Sequence, residues 1–373
     1  MPIDKTLARK ITKDISVSLL LYALPVTVLF LYFALKGETP WVNNTHTPAA
    51  VNVPAFLKFL TPVFKNIHSW GFIVIALVVG AAEFALGLYD NKWTKSERTI
   101  DIVCFLAPKL LLPPVTGYFS LKLLPWLLPG LANQFSWIPF WAGFFIIAVA
   151  DDLTQYWYHR LHHQLPFLWR FHRTHHSAPY MGMAMAGRQN FIYTAFFSQI
   201  YLTATLVYLG LGLPALFVTV IKSFITLSAH SSIPWDKPFY KYRVLHPVAW
   251  VLERLISTPA THQSHHADTV DDGVGNYKGN FGNMFFLWDI IFKTGIITRR
   301  YPTTFGIKFY KQEEWYAQFL WPIFKSKKPG SELAANGPEV GDEIPETALY
   351  YEEDFVPRPQ ELEKVAYQGL SNN

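Results

Sequence analysis

Apolar residues in this chain are bunched into long runs. The run Ile15 to Leu35 carries no charge and as a helix would span about 31 Å, the thickness of a bilayer core. Five further apolar stretches follow at Trp70–Tyr89, Ile102–Leu128, Trp137–Ala150, Phe191–Leu209 and Pro214–Ala229. The pattern predicts an all-α fold, a multi-pass transmembrane helical bundle of about six hydrophobic segments. Gly210-Leu211-Gly212-Leu213-Pro214 is a turn signal between the last two stretches and makes them a hairpin. Pro108, Pro113, Pro114 and Pro125 interrupt the third stretch, which is expected to bend, or to enter and leave by the same face. The fourth reaches spanning length only if its helix continues past Asp151 toward His159.

Charge supplies an orientation. Only 16% of residues are charged while 51% are apolar, a balance poor in charge for a soluble protein. Lys5, Arg9, Lys10 and Lys13 precede the first run, and Lys92, Lys95 and Arg98 follow the second. Six spans place both groups in the cytosol, as the positive-inside rule prefers. The same count brings His159–His176, His230 and His262–His266 to the cytosolic face. The expectation is a multi-pass integral membrane protein of a bacterial inner membrane or the endoplasmic reticulum, its site facing the cytosol.

The net charge of +5 is spread along span ends and forms no nucleic-acid patch. The first run is too long for a signal-peptide core and reads as a retained span. The single cysteine, Cys104, can form no internal disulfide and supports no Cys-based metal site. Three regions result. Residues 1–135 are membrane-anchoring helices, and 136–325 are a catalytic region of spans plus a cytosolic helical cap. Residues 326–373 are an acidic tail, flexible or draped on the surface.

Eight of the thirteen histidines fall in three groups: His159/His163, His172/His175/His176 and His262/His265/His266. His230 stands between them. Four residues apart, His159 and His163 share one helix face, and each H-x2-H-H triplet also fits one helical turn. Neutral imidazole is the commonest metal ligand. Nine candidates exceed what one zinc takes and suit two metals with positions left open. Zinc, copper, nickel and iron all accept imidazole; a cysteine-free, two-metal site beside a membrane tilts the choice to iron and oxygen chemistry. His46, His68 and His246 read as amphipathic interface residues, and His162 as a neighbour of the ligands.

Residues 145–307 resemble the fatty acid hydroxylase and sterol desaturase superfamily of integral-membrane di-iron oxygenases. The resemblance rests on Asp152, Tyr156-Trp-Tyr-His159-Arg-x-x-His163, Leu168-Trp-x-x-His172-x-x-His175-His176-Ser177 and Arg188-Gln189. It continues through His230, Glu253, Thr258-Pro-x-x-His262-x-x-His265-His266, Asn280-Phe281-Gly282 and Trp288-Asp289-x-x-Phe292. The spacing looks closest to the alkylglycerol monooxygenase-like and bacterial sterol-desaturase-like branch. Gln263, Phe281 and Lys293 depart from the usual basic residue, Tyr and Gly, and 268–278 is longer and richer in Asp and Gly than usual. The departures leave the metal site intact and bear on the substrate.

The resemblance implies two non-haem iron ions held by His159, His163, His172, His175, His176, His262, His265 and His266, with His230 as the ninth ligand. Asp152 stands where the family keeps an acid, there to orient a histidine from behind. The implied partners are O2, a lipid or sterol, and an external electron donor (a reductase, cytochrome b5-like or ferredoxin-like), since no nucleotide-binding or haem-attachment motif is visible. Hydroxylation is favoured; desaturation by the same site is the alternative. No side chain beyond the ligands is needed for the C–H step. A histidine-rich metal transporter is the rival from another class. It expects ligands along a path inside the spans, marked by Glu83, Lys109, Lys122 and Lys222. The clusters instead lie at span ends; Glu83 reads as facing a close-packed helix and the lysines as reaching for the interface.

Overall fold

The computed structural model describes residues 72–334 except 90, 309 and 311. The run Ile15–Leu35, the basic residues before it, His46, His68, the start of Trp70–Tyr89 and most of the acidic tail lie outside the described residues. Those that are described form helices and loops, with isolated bridges Ala267–Phe305 and Ser326–Ala334 but no strand. The main helices are α1 (Phe72–Ala85), α2 (Lys95–Tyr118), α3 (Phe140–Gln164), α4 (Pro166–His176), α5 (Ser198–Leu206) and α6 (Gly212–His230). Shorter ones follow: α7 (His246–Leu255), α8 (Pro259–His265), α9 (Leu287–Ile291) and α10 (Trp315–Leu320).

Two helical stretches, Lys95–Leu127 and Phe191–His230, are long and apolar enough to cross a membrane. The six-segment expectation is not matched among the described residues. The apolar helix within the second expected segment is short, Ala76–Ala85. The fourth segment is the first half of α3, which does run on past Asp151 and His159 to Gln164. The prolines do not break α2. It is helical through Pro108, Pro113 and Pro114, and the irregularity falls just beyond, as a π turn at Phe119–Leu123. Leu110, Leu121, Trp126 and Trp137 are each about three-quarters exposed, an apolar surface suited to lipid contact.

Phe191–His230 is folded back on itself. Gly210 has φ +115, and a Cβ there would lie 2.7 Å from the Ser136 nitrogen, so only glycine fits. Asp151 on α3 confirms the hairpin, accepting from Thr203 on α5 (2.7 Å) and pairing with Lys222 on α6. Lys222 is therefore turned inward, paired with Asp151 and 3.6 Å from Asp152, not stretched to an interface. Helices α3 and α6 run parallel, with Gly143 against Pro214, and Ile147 and Ala148 packed with Leu211, Ala215 and Val218.

Candidate metal centre

Four helices deliver the histidines. Helix α3 carries His159 and His163, α4 carries His172, His175 and His176, α6 ends at His230, and α8 carries His262 and His265 with His266 as its C-cap. All nine are buried. They converge in two adjacent groups. One is His159, His163, His172, His176 and His265; the other is His175, His230, His262 and His266. Within each group the donor atoms all lie within 4.8 Å of one another. The triplets divide in opposite senses: α4 gives two rings to the first group and one to the second, and α8 the reverse. His176 and His266 stack across the boundary, with ring centroids 4.3 Å apart.

Ring tautomers follow from the backbone. The Nδ1 of His159 lies 2.7 Å from the Phe281 carbonyl and that of His265 2.7 Å from the Gly279 carbonyl. His175 Nδ1 reaches Arg188 O at 3.1 Å and His230 Nδ1 reaches Thr226 O at 2.7 Å. A carbonyl only accepts, so each Nδ1 carries the proton and each Nε2 presents a lone pair. Yet Nε2 of His159 faces Nε2 of His265 at 3.1 Å, and His175 faces His230 at 3.1 Å. Two lone pairs at that distance repel unless a cation lies between them. Two imidazoles bound at right angles to one ion, each at about 2.1 Å, stand about 3.0 Å apart. The donor set therefore fits one metal ion per group.

Further buried nitrogens point the same way. Both ring nitrogens of His172, and Nε2 of His176 and His266, have no hydrogen-bond partner within the described protein. Burial pushes His172, His175, His176, His262, His265 and His266 well below the usual imidazole range, and His159 to about 4. The rings stay neutral, the form a metal requires.

The carbonyls that set the tautomers are themselves fixed. Asp289 accepts from the backbone nitrogens of Phe281 (2.9 Å) and Gly282 (2.6 Å). Asn280, at φ +55, donates to Thr261 O and Ile296 O and accepts from Ile296 N. Asp152 does not hydrogen-bond a histidine, contrary to the sequence expectation. Its carboxylate takes the backbone nitrogens of Met284 (3.3 Å) and Phe285 (2.8 Å) and the Trp288 indole (3.0 Å). It acts through the same loop, pinning 284–288 to α3.

Arg188 fixes the other side. Fully buried, its guanidinium pairs with Glu97, lies 3.5 Å from Asp101, and donates to Ser177 and Gln318. The anchor thus runs from His175 back to α2. The stretch 313–333 also clasps α4: Arg173 meets Glu313 and Glu332, and Thr174 donates to Gln318 O. Leu333 is buried with Phe171, Tyr193, Ala317 and Trp321. The described start of the tail, 326–334, is therefore packed on the helical body.

Other histidines stand apart. His162 lies outside both groups, its Nδ1 on Tyr158 O at 2.7 Å, and His246 is bonded to Tyr240 O. Glu83 holds Tyr89, Met183, Ser231 and Ser232 together, a joint between α1 and the end of α6. Asp289, Asn280 and Arg188 all fall in the motifs that carry the resemblance, but their spacing assigns them no role.

Residues 144–294 match the family model described as fatty acid hydroxylase. The resemblance read from the motifs holds over this region. No curated protein and no solved structure matches the chain.

Proposed function

We propose that this chain, whose residues 144–294 carry the fatty acid hydroxylase family, is a membrane-bound di-iron oxygenase that hydroxylates an aliphatic C–H bond of a lipid or sterol with O2. The observation that carries the reading is the pair of facing Nε2 lone pairs, one pair in each group of imidazoles. Purely nitrogen donors without cysteine suit iron, and the family points to the same metal. Bound iron supplies O2 activation and hydrogen abstraction; one oxygen atom enters the lipid, and the other leaves as water with two electrons and two protons from an external donor.

The protein's own part is positional. Carbonyls of Thr226, Gly279, Phe281 and Arg188 hold four rings in the ligating tautomer. Phe281 packs 5.3 Å from His163 and 5.7 Å from His265, and Trp169 5.2 Å from His163, a dry wall around the donors. The apolar outer surface suits a substrate arriving from the bilayer. Cytosolic placement, the multi-pass topology and the alkylglycerol monooxygenase-like branch are parts of this proposal, resting on charge and motif spacing.

The test compares lipid extracts from cells with and without the chain by mass spectrometry. A product heavier by one oxygen is expected. One lighter by two hydrogens would make the enzyme a desaturase. No change in any lipid from metal-loaded protein would overturn the reading.

A further inference from the structure

The parallel register of α3 and α6 sorts their buried side chains into layers. Asp151, Thr203 and Lys222 form one layer, joined side chain to side chain. One turn further along α3 and α6 lie Gln155 and Thr226, and one turn back along the antiparallel α5 lies Gln199. One turn beyond these stand His159 and His230, the floor of the metal centre. Gln155 and Gln199 are more than nine-tenths buried. The side-chain oxygens Gln155 Oε1, Gln199 Oε1 and Thr226 Oγ1 are all buried without a hydrogen-bond partner.

Three unpartnered oxygens on three helices, one turn from the residues that join those helices at Asp151, are out of place in an apolar bundle. Buried polar groups are nearly always bonded, and intramembrane ones mark functional sites. The ion-paired layer below is satisfied, whereas these three oxygens have no partner among the described residues. It lies about 6 Å from the histidine layer, four residues at 1.5 Å each.

We propose that the Gln155–Gln199–Thr226 layer is a substrate subsite that binds a hydroxyl group on the lipid, a few carbons from the carbon that is oxidised. The reading deepens the proposed oxygenase and rests on it for the reaction. The subsite selects lipids that carry a hydrogen-bond donor inside the bundle. A lipid hydroxyl can donate its one hydrogen to a glutamine Oε1 and accept from the Thr226 hydroxyl, whereas a plain alkyl chain meets none of the three oxygens. Discrimination of this kind is large because the loss falls on buried groups of the protein.

The test is a binding measurement, independent of turnover. Full-length protein in detergent micelles is equilibrated with octadecan-1-ol or octadecane, and bound probe is counted by mass spectrometry against partition into empty micelles. The wild-type protein is expected to hold the alcohol about tenfold more tightly or better. Gln155→Leu and Gln199→Leu are expected to remove that preference while octadecane binding persists. Thr226→Val, nearly the same shape, serves where a leucine variant does not fold. Equal binding of the two probes by the wild type, or a preference retained in all three variants, overturns the subsite and assigns the layer to water. Because no turnover is read, that result leaves lipid oxidation to stand or fall on its own test.

Discussion

Five imidazoles converge in one histidine group and four in the other, and different parts of the molecule hold them. In the larger group, His159 and His265 both take their orienting carbonyls from the stretch 279–281, which Asp289 and Asn280 pin in place. In the smaller, His175 leans on Arg188 and through it on Glu97 of α2. His230 sits at the end of α6, which Glu83 ties to α1. The orienting carbonyls of the larger group thus come from the 279–281 loop, whereas those of the smaller sit on elements tied to α1 and α2. With one donor fewer, the smaller group leaves more of an ion's coordination positions open.

The largest expected effects come from the rings fixed at both nitrogens. His265→Ala should lose the ion of the first group, His175→Ala that of the second, and both should lose lipid oxidation. Metal analysis of each purified variant checks this, and identical loss of both ions from either variant would show that the groups are not separately held.

Arg188→Met comes next. It leaves Glu97 and Asp101 buried without their cation, a loss of about 3–5 kcal/mol, read as a fall in the unfolding midpoint with metal lost first from the smaller group. Asp289→Asn weakens the hold on Phe281 and should lower metal affinity by about 10–100-fold, confined to the larger group, as competition with a chelator would show.

A separate effect is that of pH. Burial depresses His159 to about 4 from 6.5, and its neighbours move the same way. The unfolded chain therefore takes up protons first as pH falls. Stability and metal retention are full above about pH 6.5 and decline toward pH 4, measured by metal remaining after dialysis across that range. Retention that improves on acidification would reverse the sign and break the burial argument.

Much of the centre was legible because helix spacing alone dictates it. H-x3-H and H-x2-H-H place rings on one face whatever surrounds them, so the nine candidates could be named before any fold was known. The Gly210–Pro214 hairpin was equally local, set by a glycine that no other residue replaces. The tautomer-setting groups were illegible because they are backbone carbonyls, which carry no side-chain signature. Arg188 stood in a quoted motif, but its partner Glu97 lies 91 positions upstream, and only packing joins them. Asp152 is expected from the resemblance to orient a histidine; the structure gives it two backbone nitrogens, the Trp288 indole and Lys222 at 3.6 Å instead, partners that only the fold brings together. The fourth segment needed its helix to continue past Asp151 toward His159, and α3 does so, half apolar and half histidine-bearing.

The most direct measurement is metal content per chain after anaerobic purification of the full-length protein in detergent. Two iron ions per chain, reduced to one by His175→Ala, is the predicted result. A single tightly held zinc ion in place of the iron pair would contradict the di-iron centre.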